Sequence, residues 1–161
     1  MAVADLIGAA VGVLLLVLVA YVLVGSTLST AEIVSNAQKD LTLQNEARLH
    51  TDLIIYDPVL DGTNISCYMN NTGNEIIGDF QHMDILVKDA STNDYSLYTY
   101  VKDPAPYQAP GYWTIVDRGR DDIHPYLLDP GESYHINIVT SITPTWFQIT
   151  TSNGVYSSAY L

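Results

Sequence analysis

The sequence LIGAAVGVLLLVLVAYVLV, residues 6–24, decides the fold of this chain. It contains no charged residue and no proline. An uninterrupted apolar run of about 18 residues or more is long enough to cross a bilayer as an α-helix. The stretch therefore predicts a helix that either stays in a membrane or packs against other apolar helices.

The residues around this stretch do not form a cleavable signal peptide. The segment before it, Met1-Ala-Val-Ala-Asp5, has no basic residue, and no small-residue cleavage site follows the apolar run. The first basic residue is Lys39, so the charge of the flanks assigns no orientation in a membrane. One explanation for a membrane helix without a basic flank is that a short basic leader preceded Met1 and has been removed.

Small residues recur in the apolar stretch. Gly8 and Gly12 match the small-xxx-small pattern that lets membrane helices approach closely, although glycine and alanine are also common in membrane helices generally. We interpret the pattern as a surface for close helix–helix packing. The candidate assembly residues are Asp5, Leu6, Gly8, Gly12, Leu15, Leu16, Val19 and Leu23.

Asp5 lies one turn before the apolar stretch and has two interpretations. An acidic residue in the first turn of a helix is favoured by the helix dipole. Alternatively, its carboxylate pairs with the amino terminus of a neighbouring subunit, because a buried charge needs such a partner.

The helix is predicted to continue far beyond the apolar stretch, since residues 26–51 contain neither proline nor glycine. A helix from about residue 2 to about residue 50 is roughly 75 Å long, whereas a hydrocarbon core of about 30 Å needs only about 20 residues. We assign residues 1–51 to one long helix, with an assembly or membrane segment at 6–24 and an extension at 25–51. The extension must pack against something other than lipid.

From Thr51 onward the periodicity alternates and turn residues recur. Strands are predicted at 53–56, 63–69, within 80–87, and at 95–101, 112–116, 133–139, 146–150 and 155–161. Asp57-Pro58 is expected to end the first, and Asn153-Gly154 predicts a hairpin between the last two. The tyrosine-rich run 95–101 suggests an interface. We assign residues 52–161 to an antiparallel immunoglobulin-like β-sandwich, so that the whole chain is α+β.

The composition fits a domain outside the cell. A net charge of −12 argues against nucleic-acid binding and is most simply a solubilising surface. Cys67 is the only cysteine and is interpreted as a small core residue. The sequons at Asn64 and Asn70 are candidate glycosylation sites, and Asn70 is expected in an accessible turn.

The sequence contains no catalytic constellation. Its four histidines are scattered, and no HExxH, Gly-x-Ser-x-Gly or Walker A motif is present. Residues 117–122 lack the alternating oxygen donors of an EF-hand loop, so we interpret them as a solvated loop. Trp113 and Trp146 are interpreted as core or interface residues. We predict no catalytic residue, no cofactor and no metal site.

Several segments together are typical of one superfamily. They are the start MAVADLIGAAVGVLLLVLVAYVLVGST (1–27), the helix continuation to about His50, and the short stretches 64–73, 83–87, 128–132 and 151–155. On these the chain resembles the type IV pilin superfamily, and more narrowly the archaeal flagellins (archaellins) and their accessory proteins. The likeness is architectural over the whole chain, and its motifs are short.

The resemblance implies a structural subunit of an archaellum or pilus-like filament, without enzymatic activity. In such proteins a peptidase removes a basic leader, and the subunits then leave the membrane and assemble helically. Their apolar helices form a central bundle and their sandwiches an outer sheath on the cell surface. Asp5 lies where pilins carry an acidic residue, although archaeal flagellins often lack it.

The resemblance to archaeal flagella-accessory proteins implies an alternative. In those proteins, thought to act in the motor's stator, the helix would stay in the membrane and the immunoglobulin-like domain would bind the surface layer. The partners are therefore expected to be other copies of this chain in the first interpretation, and the membrane and the surface layer in the second.

Overall fold

The computed structural model describes residues 2–102, 109–121 and 123–161, apart from the side chains of Ala2, Ala4 and Asp5. The chain divides into two compact units, residues 1–44 and 45–161. The described residues form a helix, eight strands and a short 3-10 helix at Phe80–His82. They are α1 (Ala2–His50), β1 (Leu53–Asp61), β2 (Asn64–Asn71), β3 (Asp84–Asp89), β4 (Tyr95–Tyr100), β5 (Tyr112–Asp117), β6 (Ser133–Val139), β7 (Pro144–Thr150) and β8 (Tyr156–Tyr160).

Helix α1 is continuous, as the absence of proline from its sequence predicts. Its length and composition suffice to cross a membrane, and within the described residues it is the one helix of which this holds. Three threonine hydroxyls donate to carbonyls four residues earlier, which satisfies these polar groups within the helix: Thr27 Oγ1 to Leu23 O (2.7 Å), Thr30 Oγ1 to Ser26 O (2.9 Å) and Thr42 Oγ1 to Gln38 O (2.8 Å).

The second unit is built around one eight-stranded sheet in the order β1-β2-β6-β5-β4-β3-β7-β8. All pairings are antiparallel except β4–β5, which is parallel and short. The terminal strands come near each other, and Ile55 N donates to Ser157 Oγ at 3.3 Å. The sheet therefore folds into a sandwich that is nearly a closed barrel, which confirms the predicted α+β class.

One hydrophobic core lies between the two halves of the sheet. β2 contributes Ile65, Cys67 and Met69, all fully buried as their alternation predicts. The other buried side chains of this core among the described residues are Leu53, Ile77, Phe80, Met83, Ile85, Val87, Tyr98, Trp113, Ile115, Leu128, Tyr134, Ile136, Ile138, Phe147 and Ile149. The Tyr134 hydroxyl reaches a partner by donating to Leu127 O at 2.6 Å.

Two local predictions are wrong. β1 does not end at Asp57-Pro58 but continues to Asp61 through an irregularity between Tyr56 and Val59, with Asp57 at φ +48°. Proline is tolerated there because β1 is an edge strand, where a missing N–H costs no ladder bond. Asn70 lies within β2, paired with Ile54 and Ser133, rather than in a turn.

Candidate assembly site

Five of the predicted assembly residues of α1 lie along one exposed apolar stripe, whereas Leu16 lies at its margin and Leu6 on another side of the helix, both exposed. Gly8, Gly12, Leu15, Val19 and Leu23 recur every three or four residues, which places them on one helix face. The leucines and valine of this set are more than half exposed within the single chain. Because apolar surface of this extent is unfavourable in water, the stripe needs a lipid or protein environment. The side chain of Asp5 lies outside the described residues.

The two glycines of the stripe have no packing role within the chain itself. A Cβ atom added at Gly8 or Gly12 meets no other atom within 4 Å. Their small size is therefore not required by this chain's own fold and is available to a neighbouring helix. Their role in assembly stays a prediction.

Exposed apolar side chains continue along α1 beyond the length of a bilayer. Leu28, Ile33 and Val34 are exposed, and so are Leu41 and Leu43 further along. A helix that only anchors a domain has no use for apolar groups in this second half. Packing of the extension against another protein surface therefore stays a prediction, and the exposure of these side chains is compatible with it.

The last turn of α1, which belongs to the second unit, is capped by the turn that follows β2. His50 O accepts hydrogen bonds from Asn74 N at 2.7 Å and from Glu75 N at 3.2 Å. These bonds satisfy a carbonyl that a helix end otherwise leaves without a partner. A Cβ atom at Gly73 would overlap Asp52 N and His50 O, so this close backbone approach requires glycine.

Asn71 holds that turn from inside the sandwich. Its side chain is fully buried, and Nδ2 donates to Glu75 O at 2.7 Å and to Leu128 O at 2.9 Å. Its Oδ1 accepts from Gly73 N at 3.0 Å, so every donor and the acceptor of the amide is used. The buried amide thereby ties the turn to the segment before β6.

The hairpin between β7 and β8 contacts the same helix end. Asn153 Nδ2 donates to Thr51 Oγ1 at 2.6 Å, and Thr51 Oγ1 donates to Ala47 O at 2.8 Å. Sequence reasoning identified both turns but missed that they meet at residues 47–51. The sequence carried one signal for this contact, since asparagine stands beside glycine in both turns and threonine directly follows the helix.

The two sequon asparagines differ in surroundings. Asn64 is half-buried at the start of β2. The side-chain Oδ1 of Asn70 is buried without a hydrogen-bond partner, against the expected accessible turn. Glycosylation at either residue stays a prediction.

Cys67, Asp117 and Asp121 have surroundings that give each a structural role. Burial raises the pKa of the Cys67 thiol to about 12, as expected for an inert core cysteine. In the loop at 117–122, Asp117 Oδ1 accepts from Gly119 N and Asp121 Oδ2 from Tyr126 N, while Asp122 lies outside the described residues. Among the described residues no three His, Cys, Asp or Glu side chains are grouped to hold a metal.

No protein-family model and no curated protein sequence matches the chain. Solved structures do match its fold. The archaellum periplasmic stator protein FlaG from Sulfolobus acidocaldarius has a TM-score of 0.51 and 21% identity, covering 69% of this chain and 99% of that one. The stator protein complex FlaF and FlaG from the same organism has a TM-score of 0.51 and 21% identity, with 68% and 87% covered. Archaeal flagellin FlaB1 from Methanocaldococcus jannaschii has a TM-score of 0.48 and 10% identity, with 68% and 88% covered.

The chain therefore shares its fold with the archaellum stator protein FlaG. The likeness is one of fold alone, and it agrees with the fold that the resemblance to the archaellum accessory proteins implies. The length and composition of α1 are consistent with association with a membrane.

Proposed function

We propose that this chain is a structural, non-enzymatic subunit of an archaellum or a related type IV pilus-like filament, and that it polymerises through α1. The observation that carries the proposal is the exposed apolar surface of α1, which extends past residue 24 to Leu43. A bilayer covers only about 20 residues of such a helix, so the remainder needs protein partners.

Copies of the same helix are suitable partners. Gly8 and Gly12 allow two backbones to approach closely, and the leucines that follow on the stripe pack against their counterparts. Burial of apolar surface contributes roughly 25 cal/mol per Å². Contact along the whole apolar length of α1 therefore stabilises each added subunit. The membrane holds the subunit before assembly, and the acidic sandwich faces the medium.

Cell fractionation tests this function. Surface filaments are sheared from intact cells, pelleted and analysed by mass spectrometry, while the remaining membranes are extracted with detergent. The proposal expects this chain as a major component of the sheared filaments. Recovery only from the detergent extract would contradict it.

A second candidate agrees with the fold match to FlaG, which covers 99% of that stator protein. In this alternative α1 stays in the membrane, and the sandwich acts as an archaellum accessory protein that binds the surface layer. Co-sedimentation of the detergent-extracted chain with isolated surface layer would support it. Filaments that contain the chain in bulk would exclude it.

A further inference from the structure

The sandwich carries two aromatic surfaces on opposite sides. Because the inward side chains of both half-sheets share one core, their outward side chains point away from each other. We call the outward side of β4-β3-β7-β8 the Trp146 face. The outward side of β1-β2-β6-β5 is the Tyr68 face.

On the Trp146 face one row of side chains crosses all four strands. The strand register aligns Tyr95, Lys88, Trp146 and Tyr160 in that order. Tyr95 is 56% and Tyr160 80% exposed, and the Tyr95 and Trp146 rings pack edge to face with centroids 6.0 Å apart. Large aromatic rings in a row are costly on a solvated sheet and typical of protein interfaces.

On the Tyr68 face a second row crosses the other half-sheet. The register aligns Tyr56, Tyr68, His135 and Asp117. The Tyr56 and Tyr68 rings stack at 5.1 Å, and the Tyr68 and His135 rings at 4.7 Å. His135 Nε2 lies 2.6 Å from Ser66 Oγ. The rings are therefore held rigidly and lose little side-chain freedom on contact with a partner.

A cavity of about 700 Å³ adjoins the second row. Tyr56, Tyr68 and His135 line it, together with the carboxylates of Asp117 and Glu132 and the guanidinium of Arg120. On the opposite face Lys88 lies among the aromatic rings, with its Nζ 5.9 Å from the Tyr95 centroid. The row of the Trp146 face thus carries a cation, whereas the cavity holds two carboxylates beside its single arginine.

Charge also limits which surfaces two copies can bring together. The chain carries −12, so most of its surface repels a second copy. The outward residues of β2 and β6 are uncharged, and they are Asn64, Ser66, Tyr68, Asn70, Ser133, His135 and Asn137. On the Trp146 face the outward charges of β3 are Lys88 and Asp84. The central strands of these two faces thus carry no net charge, which favours contact between like-charged chains. The outward acids Asp61 and Asp117 of the Tyr68 face lie on its outer strands β1 and β5.

We propose that the Trp146 face of one copy docks onto the Tyr68 face of the next, with Lys88 directed at the cavity that contains Asp117 and Glu132. Because the contact joins two different faces, it is heterologous and can repeat from one copy to the next along a helical filament. This inference rests on the proposed filament function and adds the contact between outer domains. Tyrosine and tryptophan are the side chains that dominate the binding energy of such contacts.

Disulfide cross-linking of the full-length chain tests the contact directly. Two variants, Tyr160→Cys on one face and Tyr56→Cys on the other, carry tags of different size and are mixed before assembly. The native Cys67 is buried and does not compete. Mild oxidation is expected to give the mixed Tyr160→Cys/Tyr56→Cys dimer, and little of either homodimer.

The matched control replaces Tyr56→Cys with Ile76→Cys, an exposed position on neither face. Its mixed dimer is expected in several-fold lower yield. Homodimers of Tyr160→Cys in place of the mixed dimer would overturn the head-to-tail contact, and so would equal yields with the control.

Charge reversal provides a second, independent readout. Lys88→Glu is expected to lower the yield of the mixed dimer roughly tenfold, the effect of placing like charges opposite each other in an interface. With Lys88→Glu in the Tyr160→Cys chain, Asp117→Lys in the Tyr56→Cys chain is expected to restore the mixed dimer. The control Lys102→Glu in the Tyr160→Cys chain, with the same change in net charge as Lys88→Glu, is expected to leave the yield unchanged. An unchanged yield with Lys88→Glu would overturn the pairing.

The outcomes separate this inference from the proposed function. Filaments that contain the chain but give no mixed dimer would refute the face contact and leave the filament function intact. A mixed dimer in membranes from cells whose sheared filaments lack the chain would refute the filament function and support the face contact.

Discussion

At the scale of single residues, the best-defined feature is the polar cap on the end of α1. Asn71 and Gly73 close the turn after β2 against His50 and Asp52, with a buried amide on one side and a backbone approach without room for a side chain on the other. The cap depends on the hydrogen bonds of one amide and on the absence of one side chain. Its loss should therefore lower the free energy of unfolding by a measurable amount.

Gly73→Ala is expected to destabilise the second unit by about 2 kcal/mol or more, because the new methyl group meets backbone atoms that cannot move independently. Thermal or chemical unfolding of the full chain in detergent measures the change. Gly62→Ala is the control, since it has a positive φ but open space, and is expected to cost about 1 kcal/mol. Equal effects of the two variants would contradict the tight approach at Gly73.

Cys67 gives a prediction about pH. Burial raises the pKa of its thiol from 9.0 to about 12, so the fold favours the neutral thiol. This stabilisation is complete below about pH 9 and is lost as the pH rises towards 12. The free energy of unfolding should therefore fall above about pH 9, and it should fall less steeply in Cys67→Ala.

Burial also raises the pKa of the Tyr134 hydroxyl. The wild type and Cys67→Ala therefore both lose some free energy of unfolding at alkaline pH for this second reason. The comparison between the two chains isolates the thiol. Identical slopes would show that Cys67 titrates normally in the folded protein.

At the scale of elements, α1 was predictable because its signal is local. A charge-free run followed by residues without proline or glycine allows one secondary structure, and the helix ends at His50. The alternating strands were predictable for the same reason, and Ile65, Cys67 and Met69 are buried as their spacing required.

The remaining features depend on contacts distant in sequence. The parallel pairing of β4 with β5 joins Thr99 to Tyr112, and nothing in either strand's own sequence selects that direction. β1 continues through Asp57-Pro58 because of its edge position, which the sequence does not reveal. Asn70 was placed in a turn because asparagine favours turns, but the pairing with β6 extends β2 over it.

The assembly stripe of α1 gives a prediction at this scale. Gly12→Leu leaves the single chain unchanged, since nothing lies within 4 Å of the added Cβ, but it blocks close approach of a second helix. Filament yield after shearing is expected to fall at least tenfold, with the chain retained in membranes. Gly12→Ala, which keeps a small side chain, is the matched control and should assemble. Normal yield with Gly12→Leu would count against close helix packing.

At the scale of the whole molecule, the two units have different surfaces. Residues 6–43 expose apolar side chains along the helix. The second unit has one buried core, exposes aromatic side chains on its two sheet faces and carries most of the acidic residues. The fold of the second unit matches an archaellum stator protein, and this match alone does not choose between a filament subunit and an accessory protein. The two functions differ in whether α1 stays in the membrane or packs against other copies in a filament.

Electron cryomicroscopy of filaments sheared from the cell surface tests this central claim most directly. The filament interpretation predicts a helical map whose centre is a bundle of α1 helices in contact through Gly8 and Gly12, surrounded by sandwiches with the strand order found here. A map whose subunits belong to another chain, with this protein confined to the membrane fraction, would contradict it.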